Sequence, residues 1–299
     1  MIVRPNPNLI NVLLALKGSI ARKIAWRTVL LTLMAAAIVL IESMNPDSFA
    51  KVSATPFTLL GLSLSIFMSF RNNACYDRWY EGRKAWGDMT SAIRSMIRET
   101  QVIKDLAQRS AILRDLCGFA HALNAGLRRE NVEQAVADWL SVMPIAGTPN
   151  IGESILRQIG QQCSDAAESG AINEWRYMLM ANHLNTLTHV QATCERIKST
   201  PLPFPYTLLL HRTIYMFCIL LPFVMAEPLG WMTPLFTAIV SYTFLGLDAI
   251  ANELEDPFGQ DENDLPTNFL VRVLEREILH ALGARDLPPV LEPVEYVLS

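Results

Sequence analysis

Residues 24–41 read IAWRTVLLTLMAAAIVLI, and Arg27 is the one charged residue in this run. An α-helix rises about 1.5 Å per residue, so 18 residues nearly cross a hydrocarbon core about 30 Å thick. Long side chains at the two ends can reach the interface and make up the difference. The run therefore predicts a first membrane-spanning helix at about residues 24–43.

Three further apolar runs predict spans at about residues 57–80, 207–226 and 231–250. The second run is free of charge only over Phe57–Phe70, so its polar continuation must face protein or water rather than lipid. Short polar turns join the first span to the second and the third to the fourth. The predicted fold is an all-α membrane protein with two helical hairpins. The alternative is a soluble all-α protein in which these helices are buried.

Composition and charge favour the membrane protein. Hydrophobic residues make up 51% of the chain and charged residues 18%, against about 25% charged residues in soluble domains. Lys and Arg cluster at one end of each hairpin, whereas Lys51 is the one basic residue in the two connecting turns. Because an excess of Lys and Arg marks the cytoplasmic side, we expect a multi-pass protein with both termini in the cytoplasm. The clustered residues are Arg22, Lys23, Arg27, Arg71, Arg78, Arg83, Lys84, Lys198 and Arg212.

The middle region, about residues 81–200, has apolar residues at helical spacing between charges, which predicts several cytosolic helices. Proline, glycine and serine predict breaks at residues 141–150, 168–171 and 200–205. An acidic run and tail follow at residues 251–299. Because predicted spans flank the middle region on both sides, we interpret residues 1–299 as one structural unit.

Known catalytic patterns are missing from the sequence: it has no HExxH motif, no glycine-rich phosphate loop and no evident nucleophile with a base. The five cysteines lack CxxC spacing and are interpreted as packing residues. We therefore expect no enzyme activity, no required cofactor and no nucleic-acid partner. The cysteines are Cys75, Cys117, Cys163, Cys194 and Cys218.

Leu62, Ile66 and Phe70 lie at i, i+4 and i+8 in the second span and form one apolar stripe about 12 Å long. Such a stripe is typical of a ridge that faces lipid or packs on another helix. Small neighbouring residues, Gly61 and three serines, would let several copies of this helix approach one axis closely. In that arrangement the stripe would form a constriction that gates by dewetting.

The acidic run at residues 252–268 reads NELEDPFGQDENDLPTN. Crowded oxygen ligands on a loop suit a hard cation such as Ca²⁺. The spacing is not that of an EF-hand, and the alternative is a solvated loop.

Residues 256–268, DPFGQDENDLPTN, resemble the NPFG, acidic run and TN that mark the bestrophin family. Three other stretches agree in the same order along the chain: KGSI at residues 17–20, RW at 78–79 and CERIKSTPLPFPY at 194–206, the last of which resembles the bacterial branch. The resemblance covers residues 17 to about 272.

The resemblance implies a homopentameric ion channel in a bacterial inner membrane, with the second helix of each subunit lining an axial pore. Counted back from Arg78, the family's three apolar neck residues fall on Leu62, Ile66 and Phe70. The family narrows again at its cytosolic exit, and the resemblance places Met180 at that constriction.

In animal members of the family the acidic run clasps Ca²⁺, and by position Asp256, Gln260, Asp261 and Asp264 would form this clasp. Gln260 replaces an expected carboxylate, which should weaken Ca²⁺ binding. The structural alternative is that the run ties the fourth helix to the amino-terminal segment.

Selectivity is the least determined property, because an apolar neck carries no charge. Animal relatives pass anions. The net charge of −4, with Glu42 and Asp47 in the outer turn, would enrich cations if these residues face the pathway. We favour monovalent cations, Na⁺ or K⁺, with Cl⁻ as the alternative. A secondary transporter and a non-conducting membrane scaffold are the other classes of function considered.

Overall fold

The computed structural model describes residues 1–3, 18–45, 53–145 and 147–299. Over those residues the fold is all-α, and extended pairing is limited to isolated bridges that Ile2 and Val294 make with Val297. Lys17, Asp47 and Lys51 lie outside the described residues. The helices are α1 (Ala21–Met44), α2 (Ala54–Glu99), α3 (Leu106–Arg128), α4 (Val132–Val136), α5 (Ile151–Glu168), α6 (Glu174–Ser199), α7 (Phe204–Leu229), α8 (Thr233–Glu255) and α9 (Thr267–Ala281).

Three of the four predicted spans match helices closely, namely α1, α7 and α8. The remaining span, the second along the chain, was predicted at about residues 57–80. It lies inside α2, which continues to Glu99. The continuation has a simple cause: Pro56 sits in the first turn, where proline is tolerated, and no proline follows until Pro144. The predicted breaks in the middle region and before α7 are confirmed.

One compact unit comprises the described residues between positions 4 and 79, together with Pro201–Glu255. In it α1 packs on α7 and α8, which also pack on each other. Its core takes at least one buried apolar residue from each helix, including Ile24, Leu64, Ile214 and Leu245.

Aromatic stacking holds the amino-terminal end of α2 in this unit. The rings of Phe57 and Phe217 stack with centroids 4.3 Å apart, and Phe244 meets Phe217 edge-on at 5.3 Å. A Cβ on Gly61 would lie 3.0 Å from the Phe217 ring. Glycine at this position therefore lets α2 come close to α7 without displacing the Phe217 ring.

Two segments of the described residues are long and apolar enough to cross a membrane: Ala21–Met44 and Phe204–Glu255. The second contains α7 and α8, separated by a single turn of 3₁₀ helix at Gly230–Met232. Only 28% and 33% of their most apolar windows are buried, so most of this apolar surface is left open by the single chain. α2 does not meet the same criterion, and its predicted span at 57–80 stays a prediction.

The second compact unit comprises Met1–Val3, Tyr80–Thr200 and Asp256–Ser299. Its centre is α3, which packs on α4, α5 and α9. Side-chain caps start the helices of this unit: Asp105, Asn131, Asn150 and Asn173 each accept a backbone N–H from the first turn that follows. The prediction of one structural unit over residues 1–299 is left as a prediction.

All five cysteines are buried, as expected for packing residues. Burial raises the pKa of the Cys163 and Cys194 thiols to about 12. Both are therefore uncharged thiols at neutral pH and poor nucleophiles.

His121 in α3 makes the second unit sensitive to acid. Its ring stacks on Trp139 with centroids 5.4 Å apart, and burial, aided by the Arg272 charge, lowers its pKa to about 4. Glu275 Oε2 is 4.0 Å from His121 Nε2 and would favour the charged ring, but the same oxygen receives Arg272 Nε at 2.9 Å. Burial therefore dominates, and His121 is neutral in the fold.

Acid should destabilise the protein through His121. Because its folded pKa lies below the unfolded value, the unfolded chain binds the proton more readily, so the stability present above about pH 6.5 is lost on descending to pH 4. The loss is on the order of 3 kcal/mol at most. Thermal unfolding of the wild type and of His121→Phe between pH 7 and pH 4 should show a shallower pH dependence in the variant. Parallel curves would contradict the assignment.

Candidate pore helix and acidic loop

The predicted neck residues occupy one open face of α2. Leu62, Ile66 and Phe70 are 61%, 48% and 61% exposed, although all three are large and apolar. The opposite face is packed, since Leu64 and Met68 are 2% and 1% exposed. The helix is thus held on one side and presents the three-residue stripe, called here the neck stripe, on the other.

Serines beside the neck stripe do not make it a hydrogen-bonding surface. The Ser63 hydroxyl donates to the Leu59 carbonyl at 2.9 Å, and the Ser65 hydroxyl donates to the Gly61 carbonyl at 2.9 Å. Each hydroxyl is therefore bonded within the helix's own backbone. These two serines contribute small volume, as the sequence predicted, with their donors already used.

Polar residues continue the face of the neck stripe towards the carboxyl end of α2. Asn73 and Asp77 follow Ile66 at i+7 and i+11, and both are exposed. Asp77 is thus a carboxylate on the same face, two turns beyond Phe70. Helical spacing alone places Asp77 there, although it lies beyond the apolar pattern that marks the stripe in the sequence.

A buried ionic network fixes α2 directly after the neck stripe. The Arg71 side chain is 0% exposed and donates to Asp248 Oδ1 at 2.7 Å and to Asn252 Oδ1 at 2.6 Å, both in α8. His211 Nδ1 lies 2.8 Å from the other Asp248 oxygen. The network sets the rotation of α2 and thereby which residues its open face presents.

Arg78 adds a second link between the same helices. Its Nε donates to the backbone carbonyl of Glu255 at 3.1 Å. The sequence signal for such links is a charged residue within or beside a predicted span, because such residues are normally paired. That signal is present in the sequence at Arg71 and at Asp248. It does not show that these two residues pair with each other.

Met180, the residue predicted at the cytosolic constriction, is buried in the single chain. Its side chain is 0% exposed inside the second compact unit, whereas its neighbours Met178 and Leu179 are 65% and 51% exposed. One residue turns a helix by about 100°, so a shift of one position in the assignment moves the side chain from the surface to the core. The placement of Met180 at the constriction stays a prediction, and Leu179 is the exposed apolar residue next to it.

The four predicted clasp residues do not act together. Asp256 is paired with Lys198 Nζ at 2.7 Å, and Gln260 Nε2 donates to Glu130 Oε1 at 3.1 Å. Asp264 Oδ2 instead accepts the Asp261 N–H at 2.7 Å. Asp261 and Asp264 are joined to each other, and the Asp264 N–H also donates to the Asp261 carbonyl at 3.1 Å, which closes the loop.

The calcium clasp stays a prediction. Among the described residues, no group of three or more His, Cys, Asp or Glu side chains is arranged to hold a metal ion. A Cβ at Gly259 would lie 2.5 Å from Asp264 Oδ2, so the loop is folded tightly over this carboxylate. Met1 lines the same cavity of about 240 Å³ as Asp261 and Asp264, which favours the structural alternative of a tie to the amino terminus.

Known proteins are similar to this chain over almost its whole length. A family model described as Bacterial/Fungal Bestrophin protein matches residues 1–280. A voltage-dependent anion channel-forming protein of Mesorhizobium japonicum is 39% identical over 298 residues, which cover 99% of this chain and 96% of that protein. The voltage-dependent anion channel-forming protein YneE of Escherichia coli K12 is 35% identical over 297 residues, 98% of each chain.

Solved structures of bacterial relatives are similar to this chain in fold. The crystal structure of a bacterial bestrophin homolog from Klebsiella pneumoniae is similar with a TM-score of 0.83 and 35% identity, covering 88% of this chain and 100% of that one. A crystal structure described as that of a membrane protein is similar with a TM-score of 0.84 and 35% identity, again over 88% of this chain.

Proposed function

Because this chain belongs to the bestrophin family of bacteria and fungi, we propose that it is the subunit of a homopentameric ion channel in which α2 lines an axial pore. The observation that carries the proposal is the neck stripe, an open apolar face on a helix whose opposite face is locked. Five such faces around an axis would form a constriction that gates by dewetting. Family and relatives point to a channel rather than an enzyme.

Anions, with Cl⁻ as the common one, are the first candidate for the conducted ion. The relatives described above are named anion channel-forming proteins, which reverses the order suggested by the net charge. The structure also weakens the charge argument, because Asp256 is neutralised by Lys198. Its carboxylate contributes little field to a conduction pathway.

Monovalent cations, Na⁺ or K⁺, are the second candidate, and Asp77 supports them. In a pentamer lined by α2, this exposed carboxylate would form a ring of five negative charges on the face of the neck stripe. Rings of Asp or Glu are the device by which many channels select cations. The sign of the selected ion then depends on whether the negative potential of this ring is larger than the potential of the other residues along the pathway.

Reversal potentials in an NaCl gradient test both candidates with one variant and two controls. The wild-type value gives the sign of the favoured ion, and Asp77→Asn should shift it towards the Cl⁻ equilibrium potential, changing the permeability ratio roughly threefold. Asp77→Glu keeps the charge and Asp286→Asn removes an exposed charge elsewhere, so both should match the wild type. An unchanged reversal potential in Asp77→Asn would contradict the placement of Asp77 in the pathway.

The protein is a membrane protein, and we place it in the bacterial inner membrane with four spans and both termini in the cytoplasm. This orientation rests on basic residues in the first turns of α1 and α7, among them Arg22 and Lys23 at the start of α1 and Arg212 about two turns into α7. Calcium is not expected to gate the channel, since Gln260 is an amide and Asp256 already has a cation.

A further inference from the structure

Arg27 is a cation in the second turn of α1, a helix that is long and apolar enough to cross a membrane. Charged residues in such helices are normally paired. Arg71 follows this rule with Asp248 at 2.7 Å. Lys23 follows it with Glu253, also at 2.7 Å. Among the residues that the structure describes, no carboxylate lies within ion-pair distance of Arg27.

Two aromatic rings fix the position of the Arg27 guanidinium instead. Its Cζ lies 5.6 Å from the centroid of the Trp26 ring and 6.0 Å from that of Tyr215 in α7. Both distances are within the range of cation–π contacts. The side chain is half-buried between α1 and α7. Ring faces attract the charge but leave the N–H donors of the guanidinium for an acceptor.

Arg212 brings a second cation to the same groove. It is exposed and precedes Tyr215 by three positions, so the two residues are neighbours on one side of α7. The described part of the chain offers no carboxylate within ion-pair distance of Arg212 either. Tyr215 therefore stands between two arginines that lack an anionic partner.

The two helices run side by side in the same direction. Ile24 of α1 belongs to one core cluster with Ile214 of α7, and Ile38 belongs to another with Ala226. Side chains of an α-helix tilt towards its amino end, so both arginines reach towards the same end of the compact unit. Two guanidinium groups thus converge where α1 and α7 begin.

Exposed apolar residues continue from this pair of cations along both helices. On α1 two of them follow Trp26 by one and two turns, and on α7 two follow Arg212 by one and two turns. They are Leu30, Leu33, Met216 and Ile219. Cations at one end and apolar surface beyond them complement a phospholipid, whose phosphate precedes its acyl chains.

We propose that the groove between α1 and α7 binds an anionic phospholipid. Its phosphate accepts hydrogen bonds from Arg27 and Arg212, and its acyl chains lie along the exposed apolar residues. Arg suits this role because the guanidinium can donate two parallel bonds to a phosphate. An anionic lipid is preferred to a zwitterionic one, since the latter brings a cation of its own to a site with two positive charges.

Native mass spectrometry of the purified full-length protein tests this site with two lipids that share the same acyl chains. Dioleoyl phosphatidylglycerol should bind about tenfold more tightly than dioleoyl phosphatidylcholine. Millimolar inorganic phosphate should not displace it, because free phosphate lacks the acyl chains. Equal binding of the two lipids, or displacement by phosphate, would overturn the proposal. Binding is measured without conduction, so this result is separate from the test of the channel function.

Three variants localise the binding. Arg27→Gln should weaken phosphatidylglycerol binding about fivefold to tenfold, and Arg212→Gln about threefold to fivefold. Arg212 is exposed, so Arg212→Gln tests the site even if Arg27→Gln does not fold. Arg22→Gln is the control, because this exposed arginine of α1 points about 140° around the helix from Arg27, and it should bind as the wild type does. Unchanged binding in both Arg27→Gln and Arg212→Gln, or an equal loss in Arg22→Gln, would overturn the site.

Discussion

Ion flux through the purified protein should rise roughly tenfold when Leu62, Ile66 and Phe70 are replaced together by Ala. The change removes bulk and apolar surface from the neck stripe, so water fills the constriction more easily. A tenfold rise corresponds to a barrier lowered by about 1.4 kcal/mol. The rise is measured as ion flux into proteoliposomes that contain equal amounts of the wild type or of the triple variant.

Phe67→Ala supplies the matched control for this experiment. Phe67 is 51% exposed on the same helix as Phe70, but helical spacing turns it away from the neck stripe. It should leave the flux within about twofold of the wild type, because a side chain that faces lipid or a neighbouring helix does not narrow the pathway. Equal increases in Phe67→Ala and in the triple variant would mean that general loosening of the helix, not the neck, limits conduction.

Arg71→Met should destabilise the protein by about 3–5 kcal/mol, the cost of leaving one member of a buried ion pair alone. Asp248, 3% exposed, would lose its principal cation and retain only His211. The double variant Arg71→Met/Asp248→Leu should recover most of the loss, because neither charge is then buried. Thermal and denaturant unfolding in detergent gives the free energy of unfolding of the wild type, the single variant and the double variant.

Arg94→Met is the control for the Arg71 experiment. Arg94 binds Glu277 with two hydrogen bonds, of 2.8 and 2.6 Å, but its side chain is 50% exposed. An exposed pair of this kind contributes about 0–1 kcal/mol. Equal losses in Arg71→Met and Arg94→Met, or no recovery in the double variant, would contradict the account of the buried network.

The sequence predicted those features that depend on local order. Spans, breaks and the face of the neck stripe follow from runs of apolar residues and from a period of 3.6 residues. The open face at Leu62, Ile66 and Phe70 in the structure agrees with that period. Their role as a pore neck is still a prediction, because it depends on how several chains meet.

Features that depend on distant partners could not be predicted from the sequence. Arg71 and Asp248 are 177 positions apart, and periodicity says nothing about which charge meets which. Lys198 and Asp256 likewise pair across two segments, and this pairing turns a predicted calcium ligand into half of an ion pair. Met180 at the cytosolic constriction also stays a prediction, because its side chain is buried in the single chain and the constriction depends on how several chains meet.

Thiol modification of Ile66→Cys during planar-bilayer recording tests the central claim, that the neck stripe lines the ion pathway. All five native cysteines are buried, so the wild type provides an unreactive background. A charged methanethiosulfonate reagent should block most of the Ile66→Cys current, and should leave the wild type and Phe67→Cys conducting. Current from Ile66→Cys that persists after modification, or no current from any of the three proteins, would contradict the claim.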